Sequence, residues 1–274
     1  MRSSPHTTPT CKRSGAMMRV SRPLIAGVGV AVLVLGAAVI GRFAPSSPKK
    51  PSLQIGTALN QPLPASVTSI KFTDDTGKQL TLAAFKGKAV VFTPFMTLCQ
   101  ETCPLTTSNM QILDKAVINA HQQNNVQMVM ITIDPDRDTV ARLHAYRSVA
   151  EITQPNWTLL TAAPADLTTL WKSLGVDVEK TAEDSPPGID WMTGKPLTYD
   201  LSHTDELFML NKSGNEQFLI DGMPNTQGVA PAPVLNKFLS NEGRDDLEHP
   251  DGSTWTAGDA SNALAWVLGK HLHT

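Results

Sequence analysis

Cys99 and Cys103 have three residues between them, and they follow the apolar run Ala89 to Phe92 and stand directly before Pro104. The thiolate is the form of cysteine that attacks disulfides and the form that binds metal. Pro104 suits the first turn of a helix, where its missing N–H costs nothing. A cysteine near a helix N-terminus has a depressed pKa, because its thiolate faces the positive end of the dipole. The stretch therefore predicts a redox pair, a soft-metal site, or both. Redox motifs usually place two residues between their cysteines. Three residues make a larger loop that can hold two thiolates around one ion. A structural disulfide or two buried thiols is the bland alternative, and the position at a strand end before a helix weighs against it. The third cysteine, Cys11, lies ahead of a hydrophobic segment, so the folded part has a single pair.

The elements that must position this pair read as follows. Ala89 to Phe92 predicts a buried strand that breaks at Pro94. Pro104 to His121 suits a helix, with Ile112, Leu113, Ala116, Val117 and Ala120 on one side. Val126 to Ile133 is nearly all apolar, the pattern of a strand covered on both faces. Asp134-Pro-Asp-Arg137-Asp138-Thr139 follows, and Asp138 is placed to cap a helix running to about Val149. Trp157 to Leu160 predicts a strand. Leu167, Leu170, Trp171 and Leu174 mark a helix that Gly175 closes. This βαβα rhythm puts ligand chemistry at the carboxyl ends of the strands, where Cys99, Cys103 and Asp134 fall.

Upstream, Ser69 to Leu82 reads as a hairpin turning at Asp74 to Gly77. Downstream, Glu179 to Leu197 is polar and proline-bearing and predicts a surface loop. Tyr199 to His203 then leads into an antiparallel pair, Leu207 to Leu210 and Gln217 to Ile220. Together these elements predict an α/β protein with a thioredoxin-like central mixed sheet flanked by helices. Asp221 to Thr256 is rich in Pro, Gly, Asn and Asp, with a helical stretch at Val234 to Leu239. Asp259 is placed to cap a final helix carrying Leu264, Val267, Leu268 and Leu272.

The expected organisation is a tail over 1–23, a transmembrane helix over 24–40, a linker over 41–64, and one domain over 65–274 with a C-terminal extension. Leu24 to Ile40 has no charge and reaches the short end of a membrane span. Five basic residues precede it and three follow, a bias that places the domain on the extracytoplasmic side of the cell membrane. A cleaved signal peptide, a mitochondrial leader and a start at Met17 or Met18 are the alternatives. Phe43 to Leu63 is rich in proline and serine and reads as a tether. The net charge is -2 and basic residues do not cluster beyond the leader, which argues against a nucleic-acid partner.

The chain resembles the Sco/SenC family over about Ser69 to Ile220. The resemblance rests on Cys99-x-x-x-Cys103-Pro104, on Ile133-Asp-Pro-Asp-Arg-Asp138-Thr139 and on His203 just before the last hairpin, in that order. The family tends to have Tyr-Thr-x-Cys-Pro at the first cysteine, where this chain has Met96-Thr97-Leu98-Cys99-Gln100. The resemblance implies a membrane-anchored copper protein that assists assembly of the copper A centre of cytochrome c oxidase. It implies copper, as Cu(I) or Cu(II), on Cys99, Cys103 and His203. It implies as partners the copper-bearing oxidase subunit and another copper donor or thiol reductant. Asp134, Arg137 and Asp138 would lie beside the metal or at a partner contact, unless they serve only as a helix cap and a surface ion pair. Met96 is a soft donor near the pair, and core packing accounts for it more simply. His121, His144, His249, His271 and His273 have no ligand spacing with the cysteines and read as surface residues. The alternative function is a membrane-tethered thiol–disulfide oxidoreductase acting on partner cysteines. A peroxidase ranks below both, since it gives His203 no use.

Overall fold

In a computed structural model, which describes residues 46–272, the centre of the sheet is built from the two most apolar runs. Strands β4 (Ala89–Phe95) and β5 (Val126–Thr132) are buried along their whole length and pair in parallel, Val90 against Gln127. Strand β6 (Trp157–Thr161) extends the parallel part beside β5. On the other side of β4, β9 (Glu206–Leu210) and β10 (Asn215–Asp221) add antiparallel strands. Strand β1 (Gly56–Pro62) closes the edge beyond β10. The short hairpin of β2 (Phe72–Asp74) and β3 (Gln79–Leu80) closes the edge beyond β6. The eight strands run in the order β1-β10-β9-β4-β5-β6-β2-β3. This is the expected mixed sheet.

Helices cover it. After the single turn α1 (Ala65–Thr68) come α2 (Thr102–Asn119), α3 (Val140–Val149) and α4 (Pro164–Leu174). The two-residue strands β11 (Pro224–Asn225) and β12 (Trp255–Thr256) pair with each other and enclose α5 (Pro233–Lys237) and α6 (Asn241–Glu248). The last helix, α7 (Ala257–Leu268), packs on α2.

Four expectations are corrected. The strand does not break at Pro94 but runs through it to Phe95. The Phe95 carbonyl faces β5, where Ile133 N donates to it at 2.9 Å, so the ring nitrogen of Pro94 points the other way. Pairing with β9 has already ended at Phe92, and no ladder bond is lost. The expected tether is strand over Gly56–Pro62. Gly56 lies so close to β10 that an added Cβ would sit 2.0 Å from the Leu219 carbonyl oxygen. The expected surface loop begins instead as strand β7 (Val178–Thr181), paired with β8 (Asp200–His203). Finally, neither aspartate is the N-cap residue of its helix. Thr139 caps α3, while Thr256 caps α7 with Asp259 completing a capping box. The expected span Leu24 to Ile40 lies outside the described residues, and no helix among those described is long and apolar enough to cross a membrane.

Candidate metal centre

The cysteine loop leaves β4 at Phe95 and enters α2 at Thr102. Met96, Thr97 and Leu98 are buried, which fixes the approach to Cys99. Thr97 is held from two sides. Its backbone N–H and hydroxyl both donate to the Asp138 carboxylate, and its carbonyl accepts the indole N–H of Trp191 at 2.6 Å. Cys99 is half-buried and Cys103, in the first turn of α2, is 2 % exposed. Neither is in a disulfide. The Cys103 backbone N–H donates to the Cys99 sulfur at 3.3 Å.

The helix start was expected to depress the pKa of both thiols. Cys103 moves the other way, well above the usual thiol range. Its thiol hydrogen-bonds to Cys99 and its burial disfavours a charge, and together these outweigh the opposing hydrogen bond with the Met96 backbone.

His203 ends β8 and reaches the cysteines from the far side of the chain. Its Nε2 lies 3.8 Å from the Cys103 sulfur. Its Nδ1 lies 2.9 Å from the Thr204 carbonyl oxygen, which can only accept, so Nδ1 carries a proton. In the neutral ring Nε2 then keeps its lone pair, aimed at the sulfur. The side chain is 5 % exposed. Asp205 lies behind the ring, its carboxyl pushed up by burial and pulled back by His203.

Cys99, His203, Asp205 and Met96 share a cavity of about 140 Å³. Two sulfurs and a fixed imidazole lone pair are the donor types that soft and borderline metal ions prefer. The three side chains converge without closing. Among the described residues no group of three or more His, Cys, Asp and Glu side chains stands at metal-holding geometry. The chemistry of the donor set fits an ion, and binding one requires the three donors to draw together.

Asp134, Arg137 and Asp138 are neither a helix cap nor a surface ion pair. Asp138 is wholly buried and ties Thr97 to Thr132, whose hydroxyl donates to it at 2.5 Å. Burial raises its pKa to about 6 against the opposing hydrogen bonds from Thr132 and Thr97. Asp134 pairs with the Arg137 guanidinium and accepts the Tyr199 hydroxyl at 2.9 Å. Arg137 stacks on the Tyr199 ring and donates to the Tyr199 carbonyl at 2.7 Å. One short segment thus anchors both arms of the site, the cysteine loop through Thr97 and the histidine arm through Tyr199.

Sequence reasoning missed the segment that lies over the cysteine loop. Asp190 makes a two-pronged ion pair with Arg142, at 2.9 and 2.8 Å, beside Trp191. Burial alone would raise the Asp190 carboxyl, but Arg142 and the Met192 backbone hold it well below its ordinary range. A lone tryptophan in a polar stretch was the available signal. His121, His144, His249 and His271 are exposed, as expected, and His273 lies outside the described residues. Met96 is 2 % exposed and belongs to the hydrophobic core as well as to the cavity wall.

A model of the SCO1/SenC family matches residues 61–232 of this chain. An SCO1 protein homolog of Bacillus subtilis (strain 168) is 26% identical over 106 residues, which cover 39% of this chain and 54% of that protein. Similar solved structures include the following two. A SCO1/SenC family lipoprotein from Bacillus anthracis is 24% identical with a TM-score of 0.49, covering 66% of this chain and 94% of its own. Arabidopsis thaliana ScoI, solved with copper bound, is 23% identical with a TM-score of 0.46, covering 61% and 88%.

Proposed function

This chain belongs to the SCO1/SenC family, and from that premise we propose that it carries one copper ion on Cys99, Cys103 and His203 and delivers it to the copper-bearing subunit of cytochrome c oxidase. The observation that carries the reading is the histidine. Its Nδ1 is committed to a backbone carbonyl and its Nε2 faces the Cys103 sulfur, although 100 residues separate the two in sequence. A disulfide enzyme has no use for that arrangement, whereas a Cys2His copper site needs it. Thiolates suit Cu(I), and the imidazole extends the site to Cu(II). Copper is cargo here, and the half-buried Cys99 is the ligand a partner can reach. The apolar run Leu24 to Ile40 would hold the domain at the outer face of the cell membrane.

A second reading rests on a different observation. Cys99 is half-buried, Cys103 is buried, and the Cys103 N–H already points at the Cys99 sulfur. That is the division of labour of a dithiol reductant. Cys99 would attack a partner disulfide, releasing one partner thiolate. Cys103 would then displace the second, leaving the partner reduced and the pair oxidised.

Copper titration separates the two. Replacing Cys99 or Cys103 by Ser puts a hard hydroxyl where a soft thiolate stood, and binding of either copper ion should be largely lost. His203→Ala should keep two-coordinate Cu(I) and lose tight Cu(II) with its sulfur-to-metal charge-transfer band. The oxidoreductase reading requires instead that His203→Ala leave disulfide exchange near the parent rate while the parent holds no copper against a moderate chelator. For topology, a reporter fused after Thr274 should be active only outside the cytoplasm. Activity inside would remove the proposed location.

A further inference from the structure

The inter-cysteine residues Gln100 and Glu101 are gripped by two segments remote from them in sequence. On one side, the Ser240 N–H donates to the Gln100 carbonyl at 2.8 Å, and the Ser240 hydroxyl reaches the Glu101 carboxylate at 3.4 Å. The same hydroxyl caps α6 by accepting the Gly243 N–H at 3.0 Å. Gly243 is buried directly against the loop. A Cβ there would lie 2.5 Å from the Gln100 carbonyl oxygen and 2.9 Å from the Glu101 Cα. On the other side, the Gln100 side-chain amide donates to the Ile189 carbonyl at 2.7 Å.

Cys103 is fixed in α2, so the distance between the two sulfurs depends on the backbone of Gln100 to Thr102. Whatever holds Gln100 and Glu101 holds Cys99 relative to Cys103. These two residues also line both the small cavity with Cys99 and His203 and a neighbouring one of about 560 Å³, whose far wall includes Leu239, Ser240 and Glu242.

We infer that Leu239 to Gly243, which lie beyond the family-matched residues 61–232, are positioning residues of the metal centre that clamp the inter-cysteine backbone and set the spacing of its two sulfurs. The cap residue of α6 spends one backbone and one side-chain group on the cysteine loop. Its third residue is a glycine because the loop's backbone occupies the space a side chain would need. The copper arm of the test below rests on the function proposed above, and the thiol arm does not.

The test compares full-length variants in a Cys11→Ser background, so that only the pair reports. Gly243→Ala should push Gln100 away, raise the rate at which Cys99 reacts with an aromatic disulfide reagent, and weaken copper binding roughly 10–100-fold, the range seen when supports of metal ligands are removed. Gly252→Ala is the control, since nothing lies within 4 Å of a Cβ there. It should match the parent in both measurements. Ser240→Ala should move both in the direction of Gly243→Ala, and Ser240→Thr should restore them. If Gly243→Ala fails to fold, the Ser240 pair decides the matter. Variants that lower the unfolding midpoint but leave native thiol rate and copper affinity at parent values would make α6 a merely structural addition and overturn the inference. If the parent binds no copper, the copper reading falls, while the thiol rates still decide the clamp.

Discussion

Asp138 lies under the cysteine loop with no exposed surface. It accepts hydrogen bonds from Thr132 and from Thr97, and burial still raises its pKa from 3.8 to about 6. A carboxyl whose folded pKa is raised binds its proton more tightly in the folded state than in the unfolded one. Its contribution to stability is fully present below about pH 4 and is lost as pH rises through about 6. Over that window the loss should be on the order of 2–3 kcal/mol. Asp138→Asn keeps the shape and removes the titration. Urea unfolding of parent and variant from pH 4 to pH 7 should show the parent losing ground to the variant by that amount. Glu101 and Glu206, raised by burial to about 7, titrate in both proteins and cancel in the comparison. A difference that stays constant with pH would mean that Asp138 is not protonated on folding.

At the scale of elements, the chain between β5 and α3 holds the two arms of the site, and the histidine arm can be released alone. Arg137 is 15 % exposed and Asp134 3 % exposed, so removing the guanidinium leaves a buried carboxylate without its partner. Arg137→Ala should cost about 3 kcal/mol for that reason. It also removes two of the three contacts described between this segment and Tyr199, four residues ahead of His203, and leaves only the Tyr199 hydroxyl on Asp134. Amide exchange should therefore speed up through β7 and β8 while β4 and β5 keep their protection. Unchanged exchange at Asp200 to His203 would show that Tyr199 is not the anchor of that arm.

The same scale explains what could be read in advance. The central strands were legible because β4 and β5 are buried on both faces and show as nearly continuous apolar runs. Strands β1 and β7 were not, because most of their side chains are exposed or half-buried and hydrophobic periodicity says nothing about such edges. The pairing of Cys99 with Cys103 was legible as local spacing. The support from Asp138 to Thr97, across 41 residues, and from Ser240 to Gln100 is tertiary and leaves no local pattern. Asp138 and Asp259 read as helix caps because each stands one to three residues from the true cap, Thr139 or Thr256.

For the whole molecule, the structure moves the start of the folded body. The sequence places that start near Ala65, after a tether. The sheet instead begins with β1, whose Ala58 and neighbouring Ile55 pack on the core and whose register pairs Gly56 with Ile220 and Pro62 with Asn215. A fragment starting at Ala65 would lose those ladder bonds, each worth about 0.5–1.5 kcal/mol net, and with them on the order of a few kcal/mol. It would also bare the outer edge of β10, a template for pairing with another chain. Fragments covering 47–274 and 65–274 should therefore differ in two ways. The shorter should unfold at lower urea concentration, and it should associate with rising protein concentration in sedimentation while the longer stays monomeric. The metal centre tests where the damage stops. Within the sheet β10 is joined to β4 only through β9, so copper binding per folded chain should survive in the shorter fragment at low concentration. Equal urea midpoints and equal sedimentation would return Gly56–Pro62 to the role of a tether that merely lies along the sheet.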